Sequence, residues 1–289
     1  IQVNDFCVSG PLTHVLNKHQ FDAIRIILSR ISIQKGCLVA HEMGLGKTLT
    51  CICAMNALFA RNPATRVMVI CPKILVTNWN DELEKWDTEC DLNFNWIPII
   101  DKEDMSKIRR WKRKGGLIII GNERFRNNQN GTDDDIIPDF VFVDEAHLVK
   151  NKENKLYKSI DTLQCPKILV TGTPLQNNFD EYLTMINLAD DNIIQTLRDK
   201  NLDFQAITDG FVQNASTEQI GRSRAHLKYF TELTSKCVDR RTIDILGDLV
   251  PAKQEYTIRY KVPKDTLETN KISIFQERDQ FLVATEPYI

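Results

Sequence analysis

Long apolar runs are missing from this sequence of 289 residues. No segment approaches the roughly 18 consecutive apolar residues of a membrane-spanning helix, and residues 1–5 do not begin a signal peptide, so we expect no membrane partner. A charge excess is missing as well, because 37 basic and 39 acidic residues leave a formal net charge of -2. Any binding of nucleic acid must therefore depend on a local patch.

The cysteine spacing of zinc sites and redox motifs is also missing, since no two of the eight cysteines form a C-x-x-C pair. Several cysteines lie in apolar runs, such as GCLVA and VICP, which favours reduced, buried thiols in a cytosolic or nuclear protein. No internal repeat occurs. The chain does not begin with methionine and stops at Ile289 without a clear boundary, so we expect it to be part of a longer protein.

What the sequence does contain is a series of short apolar runs, each followed by a helical pattern. Because both faces of each run are apolar, the runs predict buried strands of a parallel sheet covered by helices, an α/β fold. The predicted strands cover 36–40, 66–72, 115–121, 139–145 and 166–174. Helical spacing occurs over 16–31, 49–60, 76–86, 152–163 and 179–188. Mixed helix and loop are predicted over 196–247, and one further strand over 254–262.

The stretch AHEMGLGKTLT is similar to a phosphate-binding loop with one unusual residue. The common pattern is G-x-x-x-x-G-K-[ST], and His41 occupies the place of its first glycine. The stretch follows a predicted strand and begins a predicted helix, whose N-terminus would face an anion. Gly44 and Gly46 would let the backbone approach a phosphate. Lys47 would contact the β and γ phosphates, and Thr48 would ligate magnesium. The alternative is a chance G-x-G-K-T in a turn.

An acidic pair at the end of another predicted strand, in VFVDEAH, would complete such a site. Asp144 would belong to the magnesium shell, and Glu145 would orient and deprotonate the attacking water. The alternative is a solvated acidic start of a helix. The four apolar residues that precede the pair favour the first interpretation, a Walker B motif.

These two motifs together resemble helicases and translocases of superfamily two, in which the first glycine of the phosphate loop is dispensable. Within that superfamily the sequence resembles the Snf family of chromatin-remodelling ATPases. Six motifs carry the likeness in the family's order: HQFDAIRIIL, AHEMGLGKTLT, VICPKILVTNWNDELEKW, LIIIGNERFR, VDEAHLVKN and LVTGTPLQNNFDEY. Within the Snf family, the sequence most resembles the ATRX branch, which has histidine at the loop position where many relatives carry aspartate. This likeness includes RWKRKGGLIIIGNERFR, PDFVFVDEAH, SRAHL, CVDRRT and VPAKQEY.

The resemblance implies a RecA-like lobe over 1–190, a helical extension of it over 191–250, and over 251–289 the start of a connection to a second RecA-like lobe. That lobe supplies a Q-x-x-x-R-x-x-R type arginine motif, which this sequence lacks. The implied activity is DNA-dependent ATP hydrolysis coupled to movement along double-stranded DNA, with ATP and Mg²⁺ as cofactors. The isolated lobe would be nearly inactive. Nucleosomes or chromatin proteins are further implied partners, and the implied location is nuclear.

The resemblance also implies roles for single residues outside the two motifs. Gln20 would read the adenine edge, because its amide donates and accepts. Three residues match positions where relatives contact DNA phosphates: Pro72, Lys73 and Asn78. Three more would sense the γ-phosphate and relay its state to DNA: Thr171, Gly172 and Thr173. Ordinary structural roles are the alternative for Gln20 and the threonines.

Other residues are predicted to have structural roles. Trp79 and Trp86 are predicted to lie in the core rather than to stack on bases. Residues 107–114 contain six basic residues in eight and predict a solvated helix face, with DNA contact as the alternative. Asn122 and Ala146 depart from the family, where an aromatic residue and, in the ATRX branch, a glycine are usual.

Two other functions stay open. One is a non-catalytic module that binds nucleotide or chromatin. The other is a strand-separating helicase of superfamily two, which TGTPLQN argues against, because helicases of the D-E-A-H type usually carry S-A-T there.

Overall fold

The computed structural model describes residues 2–8, 10–100, 105–128, 136–172, 179–210, 212 and 214–245. The chain divides into two units, Ile1–Ile245 and Leu246–Ile289, and the second lies outside the described residues. The first unit begins with a short antiparallel pair, β1 (Gln2–Val3) and β2 (Phe6–Cys7). The strand predicted over 254–262 falls in the second unit.

A parallel sheet of seven strands forms the centre of the described part of the chain. Its strands are β3 (Cys37–His41), β4 (Arg66–Cys71), β5 (Trp96–Ile99), β6 (Gly116–Gly121), β7 (Phe140–Val143), β8 (Lys167–Thr171) and β9 (Val238–Arg241). They lie in the order β5-β6-β4-β7-β8-β3-β9, and all adjacent pairs are parallel. All carboxyl ends therefore meet at one edge, where ligands of such sheets bind.

Helices cover both faces of the sheet. They are α1 (Leu12–Val15), α2 (Lys18–Ser32), α3 (Lys47–Arg61), α4 (Leu75–Cys90), α5 (Met105–Lys114), α6 (Asn122–Asn127), α7 (Lys155–Asp161), α8 (Phe179–Ala189), α9 (Ile193–Asp199), α10 (Phe204–Asp209) and α11 (Thr217–Thr234). A 3₁₀ turn, Ala146–Val149, follows β7. None of the described helices has the length and apolar character needed to cross a membrane.

Alternation along β4 separates two hydrophobic cores. Val67 and Val69 point into the core formed with α2, α3 and α4, while Met68 and Ile70 point into the core formed with α5, α7 and α8. Side chains of successive strand residues lie on opposite faces, so a strand covered on both faces is apolar throughout. This is why the central strands appear in the sequence as unbroken apolar runs.

The α/β fold class predicted from the sequence is confirmed, and the five predicted strands and five predicted helices are all present. β4 stops one residue earlier than predicted, at Cys71, and two other strands stop earlier still. β7 stops at Val143, so Asp144 and Glu145 follow the strand, and β8 stops at Thr171. As predicted, the cysteines form no disulfides, and six of the eight are buried.

Two strands of the sheet were missed, and both lie at its edges. β5 has the sequence WIPI, in which Pro98 breaks the apolar run; proline is tolerated there because an edge strand has one unpaired side. β9 has the sequence VDRR and falls in the segment predicted as mixed helix and loop. Its charged residues hide it from a search for apolar runs, although it pairs with β3 along its length.

Candidate functional site

The predicted phosphate loop turns from β3 into α3 at the carboxyl edge of the sheet. Gly44 and Gly46 have φ angles of +85° and +70°, in the left-handed region that glycine adopts at no steric cost. A Cβ on Gly46 would also lie 2.3 Å from Gln20 Nε2. α3 begins immediately afterwards, at Lys47, so the unpaired N–H groups of its first turn face this loop. The loop thus has the form of an anion cradle.

His41 is the last residue of β3 and does not belong to the turn. It is completely buried, and its Nε2 lies 2.8 Å from Asp239 Oδ2 on the neighbouring β9. The position of the missing glycine is therefore a strand position in this chain, occupied by a side chain that joins two strands. The sequence did not reveal its partner.

β9 holds the start of the loop through further contacts. Arg241 donates from Nε to Asp239 Oδ1 over 2.8 Å, and its backbone oxygen accepts from the N–H of Glu42 over 3.0 Å. Glu42 Oε2 accepts from the N–H of Ile243 over 2.6 Å. Burial alone would raise the pKa of Asp239, but the hydrogen bond to His41 and the charge of Arg241 hold this pKa below its ordinary value.

α2 supports the loop from the other side. Gln20 is buried, its Oε1 accepts from the N–H of Asn17 over 2.8 Å, and its Nε2 donates to the backbone oxygen of Gly46 over 3.2 Å. The neighbouring His19 places Nε2 at 3.0 Å from the backbone oxygen of Leu45. Both ends of the Gln20 amide thus have protein partners, and its predicted contact with adenine stays a prediction. His19 begins the motif HQFDAIRIIL, but the sequence predicted no role for it.

Lys47 lies between the loop and the end of β8. Its Nζ donates to the backbone oxygen of Glu42 over 3.3 Å, and it lies 3.3 Å from the place where a Cβ on Gly172 would be. β8 is the neighbour of β3, with Ala40 paired to Thr171. The structure therefore brings two of the three predicted coupling residues to the phosphate loop. The third, Thr173, lies outside the described residues.

The acidic pair lies at the end of β7, two strands away from β3. Asp144 donates its backbone N–H to the oxygen of Ile70 on β4 over 2.8 Å. The Asp144 carboxylate accepts from the N–H of Glu145 at Oδ1 and from Trp79 Nε1 at Oδ2, each over 2.9 Å. Glu145 has a φ of +51°, and its Oε2 lies 3.1 Å from Nδ1 of His147. The backbone turns sharply here and leaves both acidic side chains half-buried at the edge of the sheet.

The thiol of Cys51 on α3 links the two motifs. Burial raises its pKa well above the ordinary value, Asp144 raises it further, and Lys47 opposes the shift. The charges of Asp144 and Lys47 therefore both affect the pKa of this buried thiol. Thr48, on the first turn of α3, is half-buried.

Magnesium fits this donor set. The ion prefers oxygen ligands and is usually held by one or two protein side chains together with phosphates and water. Thr48 and Asp144 offer a hydroxyl and a carboxylate, consistent with such a site. Within the described ranges no cluster of three or more His, Cys, Asp or Glu side chains forms a complete metal site.

The residues predicted to contact DNA follow β4 at the same edge. Pro72 is half-buried, while Lys73 and Asn78 are exposed at the start of α4. A Cβ on Gly121, at the end of β6, would lie 3.4 Å from Cα of Lys73, so the adjacent strand supports this turn. Lys73 is therefore exposed at the turn between β4 and α4. Contact with a DNA phosphate requires such an exposed position.

The residues predicted to have only structural roles lie where the sequence predicts them. Trp79 and Trp86 are buried. In α5, Ile108 and Trp111 are buried, and several basic residues of residues 107–114 are exposed, which matches the predicted solvated face. Asn122 begins α6, with a buried Oδ1 that has no hydrogen-bond partner among the described residues.

Known proteins resemble this chain in sequence and in fold. The sequence matches the SNF2-related domain over residues 19–285. The DNA repair and recombination protein RAD54-like of Gallus gallus is 31% identical over 274 residues, which cover 87% of this chain and 37% of that protein. The transcriptional regulator ATRX of Mus musculus is 29% identical over 282 residues, covering 86% of this chain and 11% of that protein.

A solved structure has a similar fold. It is the SWI2/SNF2 ATPase core of Sulfolobus solfataricus in complex with double-stranded DNA, with a TM-score of 0.59 and 19% identity. The match covers 84% of this chain and 46% of that chain.

The parallel sheet and the loop at its carboxyl edge define a RecA-like P-loop domain. The family match spans most of the chain, so the chain belongs to the SNF2-related domain family. The family predicted from the six motifs is confirmed, and ATRX and a RAD54-like protein are both among its relatives. The chain spans well under two thirds of these relatives' lengths.

Proposed function

We propose that this chain is the first of two ATPase lobes of a DNA translocase, whose longer protein uses ATP hydrolysis to move along double-stranded DNA. One observation supports this most: the ends of three strands bring Lys47, Gly172 and Asp144 to one edge of the sheet. Lys47 Nζ lies 3.3 Å from the Cβ position of Gly172, and the charges of Lys47 and Asp144 both affect the pKa of the Cys51 thiol. Membership of the SNF2-related family adds to that support.

The loop would bind the phosphates of ATP. Gly44 and Gly46 allow the backbone to approach them, and the N–H groups at the start of α3 donate to them. Lys47 would exchange its contact with Glu42 for the β and γ phosphates, which offer a full negative charge in place of a carbonyl dipole. Gln20, already bonded to Gly46, would read the adenine edge.

Thr48 and Asp144 would hold magnesium, which when bound neutralises charge that develops on the transferred phosphate. Glu145 would orient the attacking water and accept its proton. His147, whose Nδ1 is 3.1 Å from the Glu145 carboxylate, lies within reach of the same proton.

Pro72, Lys73 and Asn78 would contact the phosphate backbone of DNA. Such contacts carry no sequence information, which suits a protein that moves along any duplex. Thr171, Gly172 and Thr173 would relay the state of the γ-phosphate from Lys47 to this surface. The pairing of Ala40 on β3 with Thr171 on β8 supports the phosphate-loop end of this relay.

A second RecA-like lobe from the same longer chain is the partner that this site requires. Arginine residues that stabilise the transferred phosphate contribute on the order of 10³ to 10⁵ in rate. The Q-x-x-x-R-x-x-R type motif does not occur in this sequence, so the isolated chain would be nearly inactive. We further propose nucleosomes or other chromatin proteins as partners, and a nuclear location.

Binding of Mg-ATP by the chain itself tests the nucleotide site. We expect a fluorescent ATP analogue to bind in the presence of Mg²⁺, and Lys47→Ala to weaken binding at least ten-fold. Lys228→Ala removes an exposed lysine of α11 and is the matched control, which should leave binding unchanged. Absence of binding by the unmodified chain, or equal losses in the two variants, would contradict the proposed site.

A further inference from the structure

Trp79 connects the helix behind the predicted DNA contacts to the acidic pair. It follows Asn78 directly, is 3% exposed, and donates from Nε1 to Asp144 Oδ2 over 2.9 Å. The bond joins α4 to the segment after β7, and 65 residues separate its two ends. A buried indole N–H needs an acceptor, and for Trp79 that acceptor is the carboxylate of the acidic pair.

The indole fixes one side of the Asp144 carboxylate. A carboxylate has two oxygens with about four lone-pair directions, and the backbone N–H of Glu145 occupies one direction on Oδ1. Trp79 occupies one on Oδ2. Two donors on different oxygens fix the rotation of the carboxylate and leave one lone pair on each oxygen for another ligand. The indole N–H only donates, so this bond cannot reverse its direction.

We propose that Trp79 is a positioning residue for the magnesium site, holding the Asp144 carboxylate in the orientation that the ion requires. This inference rests on the proposed function, because it assumes that Asp144 binds magnesium. Groups that orient a metal ligand are needed for affinity, and their loss typically lowers metal affinity about 10- to 100-fold. Because Trp79 belongs to the first turns of α4, the magnesium site is held by the helix that begins at the predicted DNA contacts.

Trp79→Phe removes the N–H donor and keeps an aromatic ring. The measurement is the affinity of a fluorescent ATP analogue at a series of Mg²⁺ concentrations and in excess EDTA. We expect the Mg²⁺ concentration at half-saturation to rise about ten-fold, while the affinity in EDTA stays unchanged. A loss of packing alone would lower both affinities together.

Trp86→Phe is the matched control. It makes the same change two turns further along α4, where the indole donates to Glu82 Oε2 over 2.9 Å instead of to Asp144. The control should leave the Mg²⁺ dependence unchanged. In an Asp144→Asn background, Trp79→Phe should cause no further rise in the Mg²⁺ requirement, because the oriented group is already lost.

A measurement on the unmodified chain covers the case in which Trp79→Phe does not fold. The four tryptophans give four indole N–H signals in a ¹⁵N-labelled sample. Each of three variants removes one signal and so identifies it: Trp86→Phe, Trp96→Phe and Trp111→Phe. The fourth signal belongs to Trp79. We expect it to move when Mg-ATP is added, and to move far less with ATP in EDTA.

The outcomes separate the two proposals. If the unmodified chain gains no affinity from Mg²⁺, the proposed magnesium site itself is wrong. If the chain does gain affinity, and Trp79→Phe retains all of it or the Trp79 signal does not move, only the positioning role is overturned.

Discussion

His41 Nε2 lies 2.8 Å from Asp239 Oδ2, and 198 residues of sequence separate the two. Both side chains are buried, at the junction of β3 and β9. The contact accounts for the histidine at the place of the first glycine: the chain has a buried side chain there that bonds to β9, immediately before the turn that would bind phosphate. Other groups at this junction are Arg241, which bonds Asp239, and Asp22, which bonds Arg241.

His41→Asp should strongly destabilise the chain, because it places a second carboxylate against Asp239 in a buried site. Breaking a buried pair typically costs about 3–5 kcal/mol. Asp239→Asn in the same chain should recover much of that loss, since an amide can donate to the new carboxylate. Urea unfolding measures both variants and the double variant. Equal effects of His41→Asp with and without Asp239→Asn would show that the two positions are not coupled.

The low pKa of Asp239 predicts a dependence of stability on pH. A carboxyl group whose pKa is lower in the folded than in the unfolded chain contributes stability above its unfolded value, about 3.9, and this contribution is lost as pH falls through the folded value. The stability advantage of the unmodified chain over Asp239→Asn should therefore be full at pH 6 and shrink below about pH 4.

Asp161→Asn changes an exposed carboxyl group at the end of α7 and serves as the control. Unfolding free energies at several pH values measure the difference for each variant. An advantage over Asp239→Asn that stayed constant down to pH 3 would show that Asp239 is not stabilised in its charged form.

The two loop glycines should respond differently to alanine. Both have positive φ, which costs a residue with a Cβ about 1–2 kcal/mol. A Cβ on Gly44 meets nothing closer than 3.8 Å, whereas one on Gly46 lies 2.3 Å from Gln20 Nε2 and would displace that amide from its bond to the loop. Gly46→Ala should therefore lower the unfolding free energy by about 1 kcal/mol more than Gly44→Ala.

Adding Gln20→Ala tests the cause of that difference. The extra loss in Gly46→Ala should disappear in a chain that already carries Gln20→Ala, because the displaced hydrogen bond is absent from both. If the extra loss persisted, backbone strain and not the contact with Gln20 would be its source.

The parts of the site that lie close together in sequence could be predicted from it. The loop glycines, Lys47 and Thr48 are contiguous, and the acidic pair follows a four-residue apolar strand, so spacing alone places them at one edge of a parallel sheet. β9 could not be predicted in this way, because a charged edge strand leaves no apolar run. The partners Asp239 and Trp79 depend on tertiary packing, and no local pattern connects them with His41 or Asp144.

Lys73 should contribute to DNA binding through a single phosphate contact. On duplex DNA, the logarithm of the binding constant falls by about 0.9 per tenfold increase in salt for each phosphate neutralised. Lys73→Ala should make that slope about 0.9 less steep and weaken binding to all duplex sequences equally. Titrations of a labelled duplex at several salt concentrations measure the slope.

The exposed basic residues of α5 offer a competing site. A variant with Arg110, Arg113 and Lys114 replaced by Gln tests it, and these side chains are exposed while Ile108 and Trp111 anchor the helix. If this variant removed most of the slope and Lys73→Ala left it unchanged, the assignment of DNA contacts to the turn after β4 would be wrong.

ATP turnover with and without duplex DNA tests whether this chain is one of two lobes that hydrolyse ATP together, measured on these 289 residues alone and on a longer chain that includes the following lobe. We predict barely detectable turnover by the first. The second should show turnover that DNA stimulates and that Glu145→Gln abolishes while ATP stays bound, because Gln keeps the shape of Glu145 and loses its basicity. Robust DNA-stimulated turnover by the 289 residues alone would show that the chain needs no second lobe, and near-normal turnover of Glu145→Gln in the longer chain would show that Glu145 is not the base.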